Sequence, residues 1–146
     1  MIGEYRGILV VDDFAHHPTA VRETIRAVRG RYPGRRIVAV FEPRSNTSRR
    51  KVFQREFTAA LSEAGEVILA GVFGAETIPP QERLSPEEVA AELRAIGRPA
   101  QVVPEVDGIV SRLAAGCREG DIVLIMSNGG FGGIQEKLKI ALSRFP

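Results

Sequence analysis

Short apolar runs alternate along the chain with stretches in which apolar residues recur every three or four positions. Residues 8–11 form a β-branched apolar run, residues 37–41, 67–72 and 122–126 form three more, and 100–103 is a shorter, weaker one. Runs of this length, bounded by polar or glycine-containing segments, read as strands buried on both faces. Between them, Val21, Ile25 and Val28 keep helical spacing after Pro18, which suits a first helical turn, and Gly30 ends the segment. Phe53, Phe57, Leu61 and Ala64 mark the face of a second helix. Ser85, Pro86 and Glu88 carry the signature of a helix start with a capping box, followed by a buried stripe of Val89, Leu93 and Ile96 and a stop at Gly97. Val106, Ile109, Val110, Leu113 and Cys117 predict a fourth helix, with Cys117 as a core residue. Ile134, Leu138, Ala141 and Leu142 predict a fifth that starts near Gly132.

The order is therefore β-α repeated five times. Near-continuous apolar strands joined by helices imply a parallel sheet covered on both faces, and right-handed crossovers make it doubly wound: an α/β fold. Strand order is not legible at this level. With 146 residues, 44% of them apolar and 26% charged, the chain is expected to be one globular domain over residues 1–146. No apolar run approaches the ~18 residues of a membrane span. The net charge is only +2, with two Tyr and no Trp, so neither a nucleic-acid partner nor a membrane partner is expected. The single Cys117 fits a reducing cytoplasm.

Three polar loops follow strands, and in a parallel sheet such loops share the edge where ligands bind. The first is Asp12-Asp13-Phe14-Ala15-His16-His17-Pro18. Its carboxylates suit ribose hydroxyls or Mg²⁺, and its imidazoles suit phosphate or a metal; helix capping is the plainer alternative. The second runs from Glu42 through Pro43, Arg44, Ser45, Asn46, Thr47 and Ser48 to Arg49, Arg50 and Lys51. It offers hydroxyls, an amide and guanidiniums for a carboxylate or phosphate, or is a solvated basic loop. The third, Ser127-Asn128-Gly129-Gly130-Phe131-Gly132-Gly133, lets backbone approach a ligand closely, or is a tight turn. It is neither a Walker A loop nor a strict dinucleotide fingerprint, because Gln135 stands at the last glycine position.

Together these loops resemble the Mur ligase family, the ATP-dependent ligases of peptidoglycan precursors. The Asp-Asp-Phe-Ala-His-His-Pro segment is similar to the motif that opens the family's C-terminal domain, with Phe14 where Tyr is usual. Residues 123–133 resemble the closing strand and glycine turn. The loop from Glu42 to Arg50 resembles the recycling member, which joins L-Ala-γ-D-Glu-meso-diaminopimelate to UDP-N-acetylmuramate, rather than the alanine-adding one. The resemblance implies a carboxylate activated as an acyl phosphate by ATP with Mg²⁺, then attacked by the tripeptide amine. It implies Asp13 and Phe14 at the ATP ribose side and His16 at the phosphate side as the catalytic position. His17, Arg44, Ser45, Asn46, Ser48, Asn128, Gly129 and Gly130 would face the peptide substrate. The UDP-sugar domain and the central ATP domain of the family do not fit in this length alongside the fold. The chain is thus expected to be the C-terminal domain alone, partnered by its own N-terminal and central domains, inactive by itself and holding no metal or cofactor.

A signalling receiver domain is the competing class, since it also carries an acidic pair after its first strand. It needs a phosphate-accepting Asp after the third strand, and residues 67–73 offer none.

Overall fold

The computed structural model describes residues 3–45 and 48–144. A short edge strand, β1 (Gly3–Tyr5), pairs antiparallel with β2 (Ile8–Asp13). The remaining strands, β3 (Ile37–Phe41), β4 (Glu66–Leu69), β5 (Ala100–Val102) and β6 (Ile122–Met126), run parallel to β2 in the order β1-β2-β6-β3-β4-β5. The last strand in sequence therefore lies in the middle. Every residue of β3 and β6 is buried, which is why their runs show no alternation.

Alternate residues of these strands feed two cores. Leu9, Ala39, Phe41, Val67 and Leu124 pack under α1 (Pro18–Arg31), α2 (Gln54–Leu61) and α3 (Pro86–Ala95). Ile8, Val10, Val38, Val40 and Ile125 pack under α4 (Val106–Gly116) and α5 (Ile134–Ser143). The doubly wound α/β sheet expected from the apolar pattern is what forms.

Several local expectations differ. The edge strand β1 carries no apolar run, and its pairing with β2 is supplied by tertiary context. Asp12 and Asp13 are the last two residues of β2 rather than loop. Phe53 is 41% exposed, because it closes a 3₁₀ turn (Lys51–Phe53) with non-helical backbone and so falls out of phase with α2. Ile96 is 65% exposed; it caps α3, one residue past the end of the helix at Ala95. Cys117 likewise follows the last residue of α4 and is half-buried; burial pushes its thiol up to about 11, so it stays protonated at neutral pH. At α3, Ser85 Oγ accepts from Glu88 N (3.1 Å) as expected, but Gln54 Oε1 of α2 takes the Ser85 N–H (2.8 Å). Glu88 turns instead to Lys51 Nζ (3.2 Å). The capping box is thus completed from a neighbouring helix.

The amino ends of the central strands are tied by Arg36. Its guanidinium donates to both oxygens of Asp121 (3.2 and 2.7 Å) and to Glu66 Oε1 (3.0 Å), and Asp121 also accepts the Arg118 N–H (2.8 Å). Asp121 is buried, and burial alone would raise its carboxyl; Arg36 and the Arg118 amide outweigh this and hold it below the usual range. Asp121→Ala leaves those donors unmet and is expected to cost about 2–3 kcal/mol in urea unfolding, with an unchanged m-value. On the outer face, Arg26 and Arg29 of α1 hold the Glu63 carboxyl down to about 2. A depressed carboxylate stabilises the fold above its unfolded pKa of about 4.3 and loses that contribution as pH falls through the folded value. The pairs are solvent-screened, so Glu63→Gln should cost no more than about 1 kcal/mol at pH 7. The difference between the two proteins should close as the pH is lowered from about 4 towards 2, which acid titration followed by circular dichroism will read.

Candidate functional site

In register, Asp13, Met126, Phe41, Leu69 and Val102 form one row across β2, β6, β3, β4 and β5. Each is the last residue of its strand, so the following loops leave from one level. Because β6 lies between β2 and β3, the three polar loops are neighbours. Ser127 N donates to Asp13 O (3.2 Å) and Glu42 N to Met126 O (3.2 Å). Ser127 Oγ donates to Glu42 Oε1 (2.7 Å) and accepts from Gly129 N (3.2 Å). Glu42 and Ser127 are both buried, so this bond satisfies a carboxylate that would be costly to bury alone.

Arg44 is the cation at the junction. Its Nη1 lies 3.6 Å from Glu42 Oε1, and its guanidinium carbon stands 3.7 Å from the centre of the Phe73 ring. Its side chain crosses the face of Gly129, where any Cβ would overlap the Arg44 Nε and Cδ. A carboxylate, an aromatic face and a bare glycine thus fix one guanidinium. The loop behind it is shaped by Ser45 and Ser48. Ser48 is fully buried; its Oγ accepts from Arg44 N (3.1 Å) and Ser45 N (3.0 Å), while Ser48 N donates to Ser45 Oγ (2.9 Å). Both hydroxyls serve the turn itself. Asn46, expected in this loop, lies outside the described residues. Arg49 Nη1 donates to Phe73 O (3.2 Å), and Arg50 pairs with Glu82 at 3.6 Å.

In the first loop, Asp13 Oδ2 accepts from Ala15 N (2.8 Å) and Thr24 Oγ1 (3.2 Å). His16 Nδ1 donates to Phe14 O (2.7 Å); a carbonyl only accepts, so in the neutral ring Nε2 carries the lone pair. His17 holds the cap position of α1 without a side-chain cap bond, and its ring leans on that of His16 with centroids 4.7 Å apart. Phe14 is 75% exposed. Asp12, Asp13, Phe14, Ser127, Gly129 and Gln135 border a cleft of about 100 Å³. That is well below the roughly 300 Å³ at which ligand-sized sites begin. Among the described residues no group of three or more His, Cys, Asp or Glu is placed to hold a metal ion.

Of the residues expected from sequence, Asp13, Phe14 and Gly129 border the cleft, and Arg44 lies against Gly129. Ser45 and Ser48 stand behind it. His16 and His17 sit beside it, and Asn128 and Gly130 are exposed on the glycine turn. That turn is held by Phe131, buried though its φ is +48°, and by Gly132, where a φ of +57° disfavours a side chain and the close approach of Val106 leaves no room for one. Glu42 and Ser127, which head two of the polar loops, have no role assigned from sequence, and Thr24 and Phe73 are not among the residues expected at the site. The first two are the first polar residues after apolar strands, a legible signal of a rim position.

The family described as Mur ligase, glutamate ligase domain, matches residues 1–129. The UDP-N-acetylmuramate–L-alanyl-γ-D-glutamyl-meso-2,6-diaminoheptandioate ligase of Escherichia coli K12 is 40% identical over 143 residues, 97% of this chain and 29% of its own. A murein peptide ligase of Psychrobacter arcticus 273-4, solved by crystallography, is similar at 32% identity and TM-score 0.81, over 99% of this chain and 29% of that one. A crystallised domain from Haemophilus ducreyi 35000HP is similar at 36% identity and TM-score 0.73, over 96% of this chain and 95% of its own length. The chain spans under a third of the full-length relative it matches in Escherichia coli. On the sequence match, the shared sheet and the shared helices, the chain belongs to the Mur ligase family, as its C-terminal domain.

Proposed function

We propose that the chain is the C-terminal part of an ATP-dependent ligase that joins L-Ala-γ-D-Glu-meso-diaminopimelate to UDP-N-acetylmuramate in the cytoplasm. The observation that carries this reading is the placement of Asp13, Arg44 and Gly129 on one rim, with Asp13 and Gly129 bordering one cleft and Arg44 lying across Gly129. The incoming peptide bears several carboxylates, and Arg44 is a preset guanidinium fork for one of them. Ser45 and Ser48 act by shaping its loop, and Asn46, His17, Asn128 and Gly130 border the same peptide path. Asp13 and Phe14 face the ATP ribose. His16, with Nδ1 engaged, presents Nε2 to the phosphate side, where it steadies the charge that develops as the acyl phosphate is attacked.

ATP and Mg²⁺ would be held mainly by the central domain, Mg²⁺ polarising the transferred phosphoryl group. This chain closes the site, excluding water from an intermediate that water would destroy. Phe14, Val52, Phe53 and Phe73, four large exposed apolar side chains, all stand at this edge, where the protein's own N-terminal and central domains would cover them. The chain by itself is inactive.

In the full-length ligase, Arg44→Ala should raise the tripeptide KM by about 10- to 100-fold, the scale of a lost charged contact, while the ATP KM moves less than about twofold. Equal effects on both, or none, would remove the loop from the peptide site. Gly129→Ala is expected to act in the same direction without touching a charge, because its methyl group displaces Arg44 from the Phe73 ring. Steady-state kinetics of the two variants side by side will show whether the position of Arg44, and not merely its charge, sets peptide affinity.

A further inference from the structure

A second cavity opens on the same rim, two strands further along the sheet. It has a volume of about 460 Å³, within the range of ligand-sized sites, and lies over the ends of β4 and β5 beside the first turn of α3. Gly71, Val72 and Val102 form its floor, and its charged lining is Lys51, Arg83, Glu87 and Glu88. Arg83 is held by a bond from Nη2 to Ile78 O (2.9 Å), with its Nε buried and unmatched by an acceptor. Lys51 and Glu88 pair across the cavity edge at 3.2 Å, and both stay about half exposed. Two cations and two anions thus share the lining with aliphatic side chains.

Distance links this cavity to the Arg44 junction. The junction sits over β6 and β3, the cavity over β4 and β5, so about two strand spacings, or roughly 10 Å, separate them. A three-residue peptide extended along the rim covers about the same span. Residues 71–73 connect the two places, since Phe73 lies under Arg44 while Gly71 and Val72 line the cavity.

We propose that this cavity is the subsite for the far end of the incoming peptide, taking a residue that carries both carboxylate and ammonium groups on an aliphatic stem. Arg83 and Lys51 face the carboxylates, Glu87 faces the ammonium, and the stem lies on Val72 and Val102. The inference rests on the peptide-ligating reading above and adds to it the place that tells a tripeptide from a single amino acid.

Amide-detected NMR titration of this chain with L-Ala-γ-D-Glu and with the full tripeptide, both at millimolar concentration, tests it. Both peptides should shift amides in the Arg44 and Gly129 loops, and the tripeptide alone should also shift Val72, Glu87 and Val102. Arg83→Gln should weaken the tripeptide about tenfold, as for loss of one charged contact, and leave the dipeptide unchanged. Glu87→Lys, at an exposed position in the first turn of α3, should weaken the tripeptide severalfold and again spare the dipeptide. Tripeptide and dipeptide giving the same shifts, with none in the cavity, would overturn this subsite and leave the Arg44 reading standing. No shift by either peptide would overturn both.

Discussion

The rim depends on one constraint: the last strand of the chain is inserted between the first two parallel ones. With β6 between β2 and β3, the ends of three strands remote in sequence are bonded to one another through Asp13 O, Ser127 and Glu42. The Glu42 carboxylate is buried at this seam and is acceptable there only because Ser127 Oγ and Arg44 meet it. The same two partners fix the neighbouring loops, so satisfying one buried acid also orients the glycine turn and the basic loop. Until β6 is in place, the bonds from Ser127 to Asp13 and Glu42 cannot form.

The two ends of the sheet divide their work accordingly. At the amino end, Arg36 is consumed by Asp121 and Glu66 and by the carbonyl of Gly116, which closes the strands against one another. At the carboxyl end, Arg44 is held by weaker partners: a carboxylate at 3.6 Å and an aromatic face. A guanidinium bonded on all sides is a fastening. Arg44 is oriented by its partners rather than saturated by them.

Much of this was legible in the sequence, for identifiable reasons. Strands buried on both faces must be apolar throughout, so β2, β3, β4 and β6 announce themselves, and the polar residues that interrupt them mark the rim. What stayed hidden needed tertiary partners. β1 is a three-residue edge strand with no pattern of its own. Phe53 and Ile96 obey helical spacing but sit one residue outside their helices, where the backbone has already turned. Gln54 replaces Glu88 in the cap because α2 happens to lie alongside α3. Phe73 sits in a Gly- and Pro-rich loop without periodicity, and nothing local says that Arg44, 29 positions away, will lie on its ring. Strand order was unreadable because every central strand is equally apolar.

The role of Gly129 follows from the same geometry and separates two meanings of a glycine-rich turn. Such a turn is first read as freedom for backbone to approach a ligand. Here Gly132 is bare because of its left-handed backbone and its packing on Val106, and Gly129 is bare because Arg44 lies across it. The second glycine is therefore tied to the cation rather than to the fold. A lysine at position 44 could approach Glu42, but it has no planar group to lie flat between a ring and a glycine. Only arginine uses all three surfaces, and together they restrict the freedom of its side chain.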